Sequence, residues 1–158
     1  MANSHCPLPG WWIASVFPSA AALLAFLPRI AQDQNYHAFA DQRAILSVPN
    51  FWNVVSNLPF AIVGILGLWL LRGATTRVLF TGLLLIFFGS GYYHLAPNDA
   101  RLVWDRLPMT LVFMSLLAAV IAEGRSSRWE AWSLSLLLFF GVASVWWWQT
   151  NGDLLPYV

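Results

Sequence analysis

Five apolar stretches leave this chain few possible folds. They cover residues 11–30, 52–71, 78–94, 102–122 and 129–148. A helix needs about 20 mainly apolar residues to cross the roughly 30 Å of hydrocarbon in a bilayer, and each stretch is at or near that length. The alternation of polar and apolar residues typical of a membrane β-barrel is absent from the sequence. The pattern predicts an all-α fold, in which residues 1–158 form a single polytopic transmembrane helix bundle with about five spans.

The composition agrees with a protein dissolved in lipid. Hydrophobic residues make up 59% of the 158 residues and charged residues 9%, whereas soluble domains are about a quarter charged. A net charge of +1 excludes the clustered cations that nucleic-acid binding requires. The single cysteine, Cys6, excludes an internal disulfide and a cysteine-based metal site. We therefore expect an integral, multi-pass membrane protein with no nucleic-acid partner.

The first apolar stretch and the orientation of the chain are the least constrained features. Residues 11–30 could form a retained helix or the core of a signal peptide, but no lysine or arginine precedes Arg29, which favours the helix. Strict alternation of the spans places the acidic segment 31–51, residues 95–101 and the C-terminal tail on one side. The arginines of the other two polar breaks favour an N-terminus inside and the acidic segment outside.

Tryptophans gather at the ends of the apolar stretches, notably Trp11, Trp12 and the run 146–148. Amphipathic rings favour the headgroup level of a bilayer. We expect these residues to be interfacial anchors.

Three polar residues lie near the ends of two successive spans. Ser90 and His94 are four residues apart, on one helical face, and Asp105 follows just inside the next span. Pro97 disfavours a helix that continues from one span into the next, so the chain should turn there. His94 and Asp105 should then lie at similar depth in the membrane. Alternation also puts the acidic segment at this surface. Polar residues within spans are costly, which makes each a functional candidate.

Serine, histidine and aspartate in this arrangement suit two kinds of hydrolase. In a metal-assisted one, a neutral imidazole holds zinc, a carboxylate takes a proton from water and a hydroxyl stabilises the oxyanion. In a nucleophilic one, Ser90 attacks with help from His94. The residues alone leave both open, together with a structural alternative in which Ser90 bonds its own helix and Asp105 pairs locally with Arg106.

Two motifs resemble the signature of the alkaline ceramidases. They are Gly-Ser-Gly-Tyr-Tyr-His at 89–94 and Trp-Asp-Arg-Leu-Pro-Met at 104–109. The segment at 50–58, Asn-Phe-Trp-Asn-Val-Val-Ser-Asn-Leu, is similar to the start of that family's first core helix. The resemblance covers roughly residues 33–109. Alkaline ceramidases belong to a superfamily of seven-helix membrane hydrolases that includes the adiponectin receptors.

The resemblance implies a zinc-dependent amide hydrolase that cleaves the N-acyl bond of ceramide-like sphingolipids in the membrane. In that family the histidine of the first motif binds zinc, which here is His94. The aspartate of the second motif is the general base on zinc-activated water, which here is Asp105. The serine stabilises the tetrahedral intermediate, which here is Ser90.

The resemblance also implies a calcium site just before the first core helix. The oxygen donors in that place are Asp33, Asn35, Asp41 and Asn50, and calcium takes oxygen ligands. Asn50 stands where the family usually has a glutamate. The alternative is a solvated loop in which Asp33 or Asp41 pairs with Arg43.

The histidines depart from the family pattern. The other two zinc ligands of the family come from a His-x3-His motif on its last helix, whereas this chain has only His5, His37 and His94. His37 belongs to the acidic segment, and we do not expect it to be a ligand. Because catalytic zinc normally takes three protein ligands, we expect the chain to be part, or a truncated paralogue, of a protein with about seven spans.

Three functions therefore compete. The first is a ceramidase-like zinc amide hydrolase acting on lipid, and the second a non-catalytic scaffold that binds lipid or acts as a receptor. The third, a small transporter or channel subunit, is disfavoured because the polar residues gather at one surface instead of lining a path. A measurement of bound zinc would distinguish the hydrolase from the scaffold.

Overall fold

The fold is built from α-helices. The computed structural model describes residues 26–123 and 126–158 and, before them, Ser15, Ser19 and Ala22. A 3₁₀ helix at Gln34–His37 precedes five α-helices: α1 Phe51–Val55, α2 Leu58–Leu70, α3 Ala74–Leu95, α4 Asp99–Ala122 and α5 Ser127–Asn151. Within these described ranges the only β-pairing is an isolated bridge between Ile45 and Val48. The predicted all-α class is confirmed.

Four helical stretches of the described residues are long and apolar enough to cross a membrane: Phe51–Leu70, Ala74–Leu95, Asp99–Ala122 and Ser127–Asn151. They correspond to the predicted spans 52–71, 78–94, 102–122 and 129–148, and three of them begin two to four residues earlier. Most of the extra residues are polar. They are helical because backbone hydrogen bonding continues beyond the apolar stretch. Most of the other predicted span, 11–30, lies outside the described residues.

Local chemistry sets the helix ends near the polar cluster. Pro97 follows the end of α3, where Ala96 leaves the helical region, and the Asn98 side chain accepts a hydrogen bond from Arg101 N at 2.9 Å to cap α4. Because α3 ends at Leu95 and α4 begins at Asp99, the turn predicted between His94 and Asp105 is confirmed. At the C-terminal end of α5, Gly152 has a left-handed φ of 66° and ends the helix.

Successive helices are neighbours, and α4 lies between α3 and α5. Glycines occupy their closest approaches: a Cβ on Gly64 would meet the backbone of Leu84 at 2.8 Å, and one on Gly82 would meet a methyl of Val112 at 2.8 Å. Small residues let membrane helices come close enough for dispersion to hold them together. This close contact fixes the relative positions of the helix ends that carry the polar residues.

Candidate functional site

Ser90 and Asp105 meet at the α3–α4 contact. Only 5% of Ser90 and 8% of Asp105 is exposed, and their side chains lie close enough to interact. His94, one turn after Ser90, is near enough to Asp105 for their charges to interact. The structure thus brings together the three residues predicted from the sequence.

A close backbone contact explains how the pair forms. A Cβ on Gly89 would overlap the carbonyl oxygen of Trp104, so only glycine allows this approach. Pro108 lies inside α4 and has no N–H to bond the carbonyl four residues before it, which is that of Trp104. Ser90 follows Gly89 and Asp105 follows Trp104, so the contact between Gly89 and Trp104 places Ser90 and Asp105 side by side.

The His94 ring has a nitrogen that finds no partner in the part of the chain that the structure describes. Its Nδ1 is buried and has no hydrogen-bond partner among the described residues. The ring packs against Phe39, with centroids 4.7 Å apart, and the Asn50 side chain donates to the His94 carbonyl at 2.8 Å. A fixed imidazole with a buried free nitrogen is what a metal ligand or a hydrogen bond to substrate requires.

His37 is engaged elsewhere. Its Nδ1 lies 2.8 Å from the hydroxyl of Tyr93, and its Nε2 lies 2.9 Å from a carboxylate oxygen of Asp99. With both ring nitrogens occupied, His37 has none left for a metal ion. It fastens the 3₁₀ helix to the ends of α3 and α4.

Arg106 is a buried cation held by aromatic rings. Only 6% of it is exposed, and its guanidinium carbon lies 4.0 Å from the ring centroid of Trp148 and 4.9 Å from that of Tyr157. Its Nη2 donates to the Gln32 side chain at 2.6 Å. The ion pairs found among the described residues do not join it to Asp105, so the local pair considered from sequence is not formed. Trp148 is buried against this cation and is not an interfacial anchor.

Three of the predicted calcium ligands, Asp33, Asp41 and Asn50, have side-chain hydrogen bonds within the protein. Asp33 accepts from the backbone N–H of Asn35 at 2.9 Å and caps the 3₁₀ helix. Asp41 accepts from the Arg43 guanidinium and from Trp52 N at 3.1 Å, and the Arg43 hydrogen bond holds the pKa of Asp41 below its ordinary value. The alternative pair of Asp41 with Arg43 is thus formed. Calcium binding stays a prediction.

The donor set fits zinc in part. The free Nδ1 of His94 beside the Asp105 carboxylate suits a metal ion. No group of three or more His, Cys, Asp or Glu side chains in the described ranges could hold a metal by itself. The described residues thus offer one histidine nitrogen and a neighbouring carboxylate, and zinc binding stays a prediction.

Fold and site together define a helix bundle of membrane-spanning dimensions with a buried serine–aspartate pair beside a free histidine nitrogen. The ceramidase family model matches residues 43–154, which is more than half of the chain and includes α1 to α5. The chain belongs to the ceramidase family. No curated protein and no solved structure gives a significant match.

Sequence reasoning missed the contacts that surround the cluster. The amide of Asn50 on the His94 carbonyl, the His37–Tyr93 contact and the Gln32–Arg106 hydrogen bond each join residues more than 40 positions apart. Arg106 carried a usable signal, because a charged residue within a predicted span needs a partner. The sequence pattern does not indicate which residue becomes the partner of Arg106.

Proposed function

We propose that this chain is an integral membrane amide hydrolase that cleaves the N-acyl bond of ceramide-like lipids and depends on zinc. The observation that carries the proposal is the buried pair of Ser90 and Asp105 next to Nδ1 of His94, which has no partner among the described residues. Membership of the ceramidase family supports the reaction class. The apolar helices support a lipid substrate that reaches the site within the membrane.

Asp105 is the general base and acid of the proposed reaction. Its carboxylate takes a proton from water as the water oxygen bonds to the amide carbon. The same proton passes to the amide nitrogen when the carbon–nitrogen bond breaks, which releases a fatty acid and an amine. Because Asp105 is almost fully buried, its proton stays within the site between the two steps.

Ser90 has two tasks in this scheme. In the resting site its hydroxyl lies beside the Asp105 carboxylate and interacts with it, which orients the carboxylate. As charge develops on the substrate oxygen, the hydroxyl can rotate and donate there instead, the role that oxyanion donors fill in acyl transfer.

His94 is the zinc ligand of the proposal. A bound zinc ion would act as a Lewis acid and would lower the pKa of the water bound to it towards neutrality. Phe39 packs against the His94 ring and the Asn50 amide bonds the His94 backbone carbonyl. The first contact restricts the ring and the second the backbone that carries it, and metal binding requires such positioning of a ligand.

A serine nucleophile is less well supported. In a catalytic triad the histidine lies between the serine and the aspartate and bonds both. Here Ser90 lies beside Asp105 without the histidine between them, and Nδ1 of His94 has no partner among the described residues.

A non-catalytic lipid-binding scaffold is the second candidate. It is favoured by the shortage of metal donors, since the described residues hold no group of three. The two functions differ in a direct assay: the purified chain in lipid nanodiscs is incubated with a ceramide carrying a labelled acyl chain. Release of labelled fatty acid that a zinc chelator abolishes supports the hydrolase, whereas binding of the ceramide without release supports the scaffold.

A further inference from the structure

An apolar groove of about 530 Å³ runs over α3, α4 and α5 beside the Gly89–Trp104 contact. Its lining residues are all apolar or aromatic and include Phe88, Tyr92 and Pro108. The volume lies within the roughly 300–1,000 Å³ of small-molecule sites. Ser90, His94 and Asp105 are not part of the lining, so the groove is separate from the proposed hydrolytic site.

The groove opens at the outer surface of the helices. Phe88 is 60% exposed and Trp104 is 58% exposed, although both line a concave surface. Helices of this length and hydropathy present such surfaces to lipid, and Tyr and Trp favour the headgroup level. An acyl chain fits the chemistry of this lining.

Arg101 places a positive charge next to the groove. Its guanidinium carbon lies 4.3 Å from the ring centroid of Tyr92, a lining residue, and its Nη1 donates to the Tyr92 carbonyl at 3.3 Å. The ion pairs among the described residues join His37 to Asp99 and Arg43 to Asp41, so no described carboxylate pairs with Arg101. An arginine has five N–H donors, which leaves most of them for an anion.

We propose that the groove binds an anionic phospholipid, with one acyl chain along α3 and α4 and the phosphate against Arg101. Arginine binds phosphate with strong, charge-assisted hydrogen bonds, and cations at the membrane surface attract anionic lipids. The proposal rests on the membrane location of the chain and is independent of amide hydrolysis.

The first test measures lipid retention on the purified full chain by native mass spectrometry after incubation with equal amounts of phosphatidylglycerol and phosphatidylcholine. We expect wild type to retain severalfold more phosphatidylglycerol, and Arg101→Gln to lose that preference. Arg77→Gln, which removes an exposed arginine at the opposite end of α3, is the matched control and should keep it. Equal retention of the two lipids by wild type, or equal losses in the two variants, would overturn the proposal.

The second test fills the groove. Leu85 lines it and is 41% exposed, while Leu136 on α5 is 45% exposed and lies outside the lining. Leu85→Trp should lower phosphatidylglycerol retention severalfold, and Leu136→Trp should leave it unchanged. Equal behaviour of the two tryptophan variants contradicts the proposal even if Arg101→Gln fails to fold. Because neither test measures turnover, failure of the hydrolase proposal has no effect on them.

Discussion

Gly89 of α3 lies directly against the backbone carbonyl of Trp104 in α4. The two residues immediately precede Ser90 and Asp105, whose side chains are buried and close enough to interact. Because Pro108 cannot donate to the Trp104 carbonyl, that carbonyl is available to a neighbouring backbone, and Cα–H groups of close helices make such contacts. One glycine and one proline thus set the register of the helices that carry the candidate site.

Replacing Gly89 should separate these helices. In Gly89→Ala the new methyl group overlaps the Trp104 carbonyl, which belongs to rigid backbone, so α3 and α4 must shift. Overpacking of this kind costs about 1–3 kcal/mol, and we expect a lower melting temperature in detergent together with loss of hydrolysis.

Gly91→Ala is the matched control for this substitution. A Cβ on Gly91 meets nothing within 4 Å, and alanine is the better helix former by up to about 1 kcal/mol. Its melting temperature should equal or exceed that of wild type. Equal destabilisation by the two alanines would show that the Gly89 contact does not set the helix register.

Asp105→Asn tests the assignment of the general base. Asparagine keeps the size and polarity of the side chain but cannot accept the proton, so hydrolysis should fall by about 10²–10⁴-fold. Zinc content, measured by elemental analysis, should stay at the wild-type level. Loss of zinc in this variant would instead make Asp105 a ligand or a structural residue.

Arg106 should hold the chain segments before α1 and after α5 onto the bundle. It bonds Gln32 and is stacked between Trp148 and Tyr157, and each buried cation–π contact contributes about 0.5–2 kcal/mol. Arg106→Ala should speed hydrogen exchange in residues 30–38 and 152–158. Arg72→Ala, at an exposed arginine before α3, should leave those rates unchanged; the same rates in both variants would show that the aromatic contacts do not anchor these segments.

The Asp153 carboxylate should make the stability of the fold depend on pH. Backbone N–H groups of Leu155 and Ile30 donate to it at 3.1 and 3.0 Å and hold its pKa below the ordinary value. A carboxyl with a lowered folded pKa stabilises the fold above its unfolded pKa of about 4, and this stabilisation is lost as the pH falls through the folded pKa. Melting temperatures measured between about pH 6 and 3 should fall more steeply in wild type than in Asp153→Asn, and parallel curves would refute this role.

Much of the fold follows from the sequence because hydrophobic length is a local property. Residues 102–122 are apolar enough to predict a span without knowledge of any neighbour, and Pro97 marks the turn before it. The juxtaposition of Ser90, His94 and Asp105 followed from the same alternation of spans. The family relationship was also visible in the two motifs that contain these residues.

Contacts between distant segments could not be predicted. Trp148 has the sequence context of an interfacial anchor, yet only 3% of it is exposed because it stacks on Arg106. Asn50 was considered as a calcium ligand, and its amide donates to the His94 carbonyl. Such pairings depend on where the ends of non-adjacent helices meet, which periodicity does not encode.

The most direct test of the central claim is the zinc content of the full chain, purified in detergent and measured by elemental analysis for wild type, His94→Ala and His37→Gln. We predict about one zinc ion per chain in wild type, little in His94→Ala and the wild-type amount in His37→Gln, whose histidine is bonded to Tyr93 and Asp99. Wild-type protein without zinc, or with zinc that survives His94→Ala, would contradict the proposed metal-dependent hydrolase.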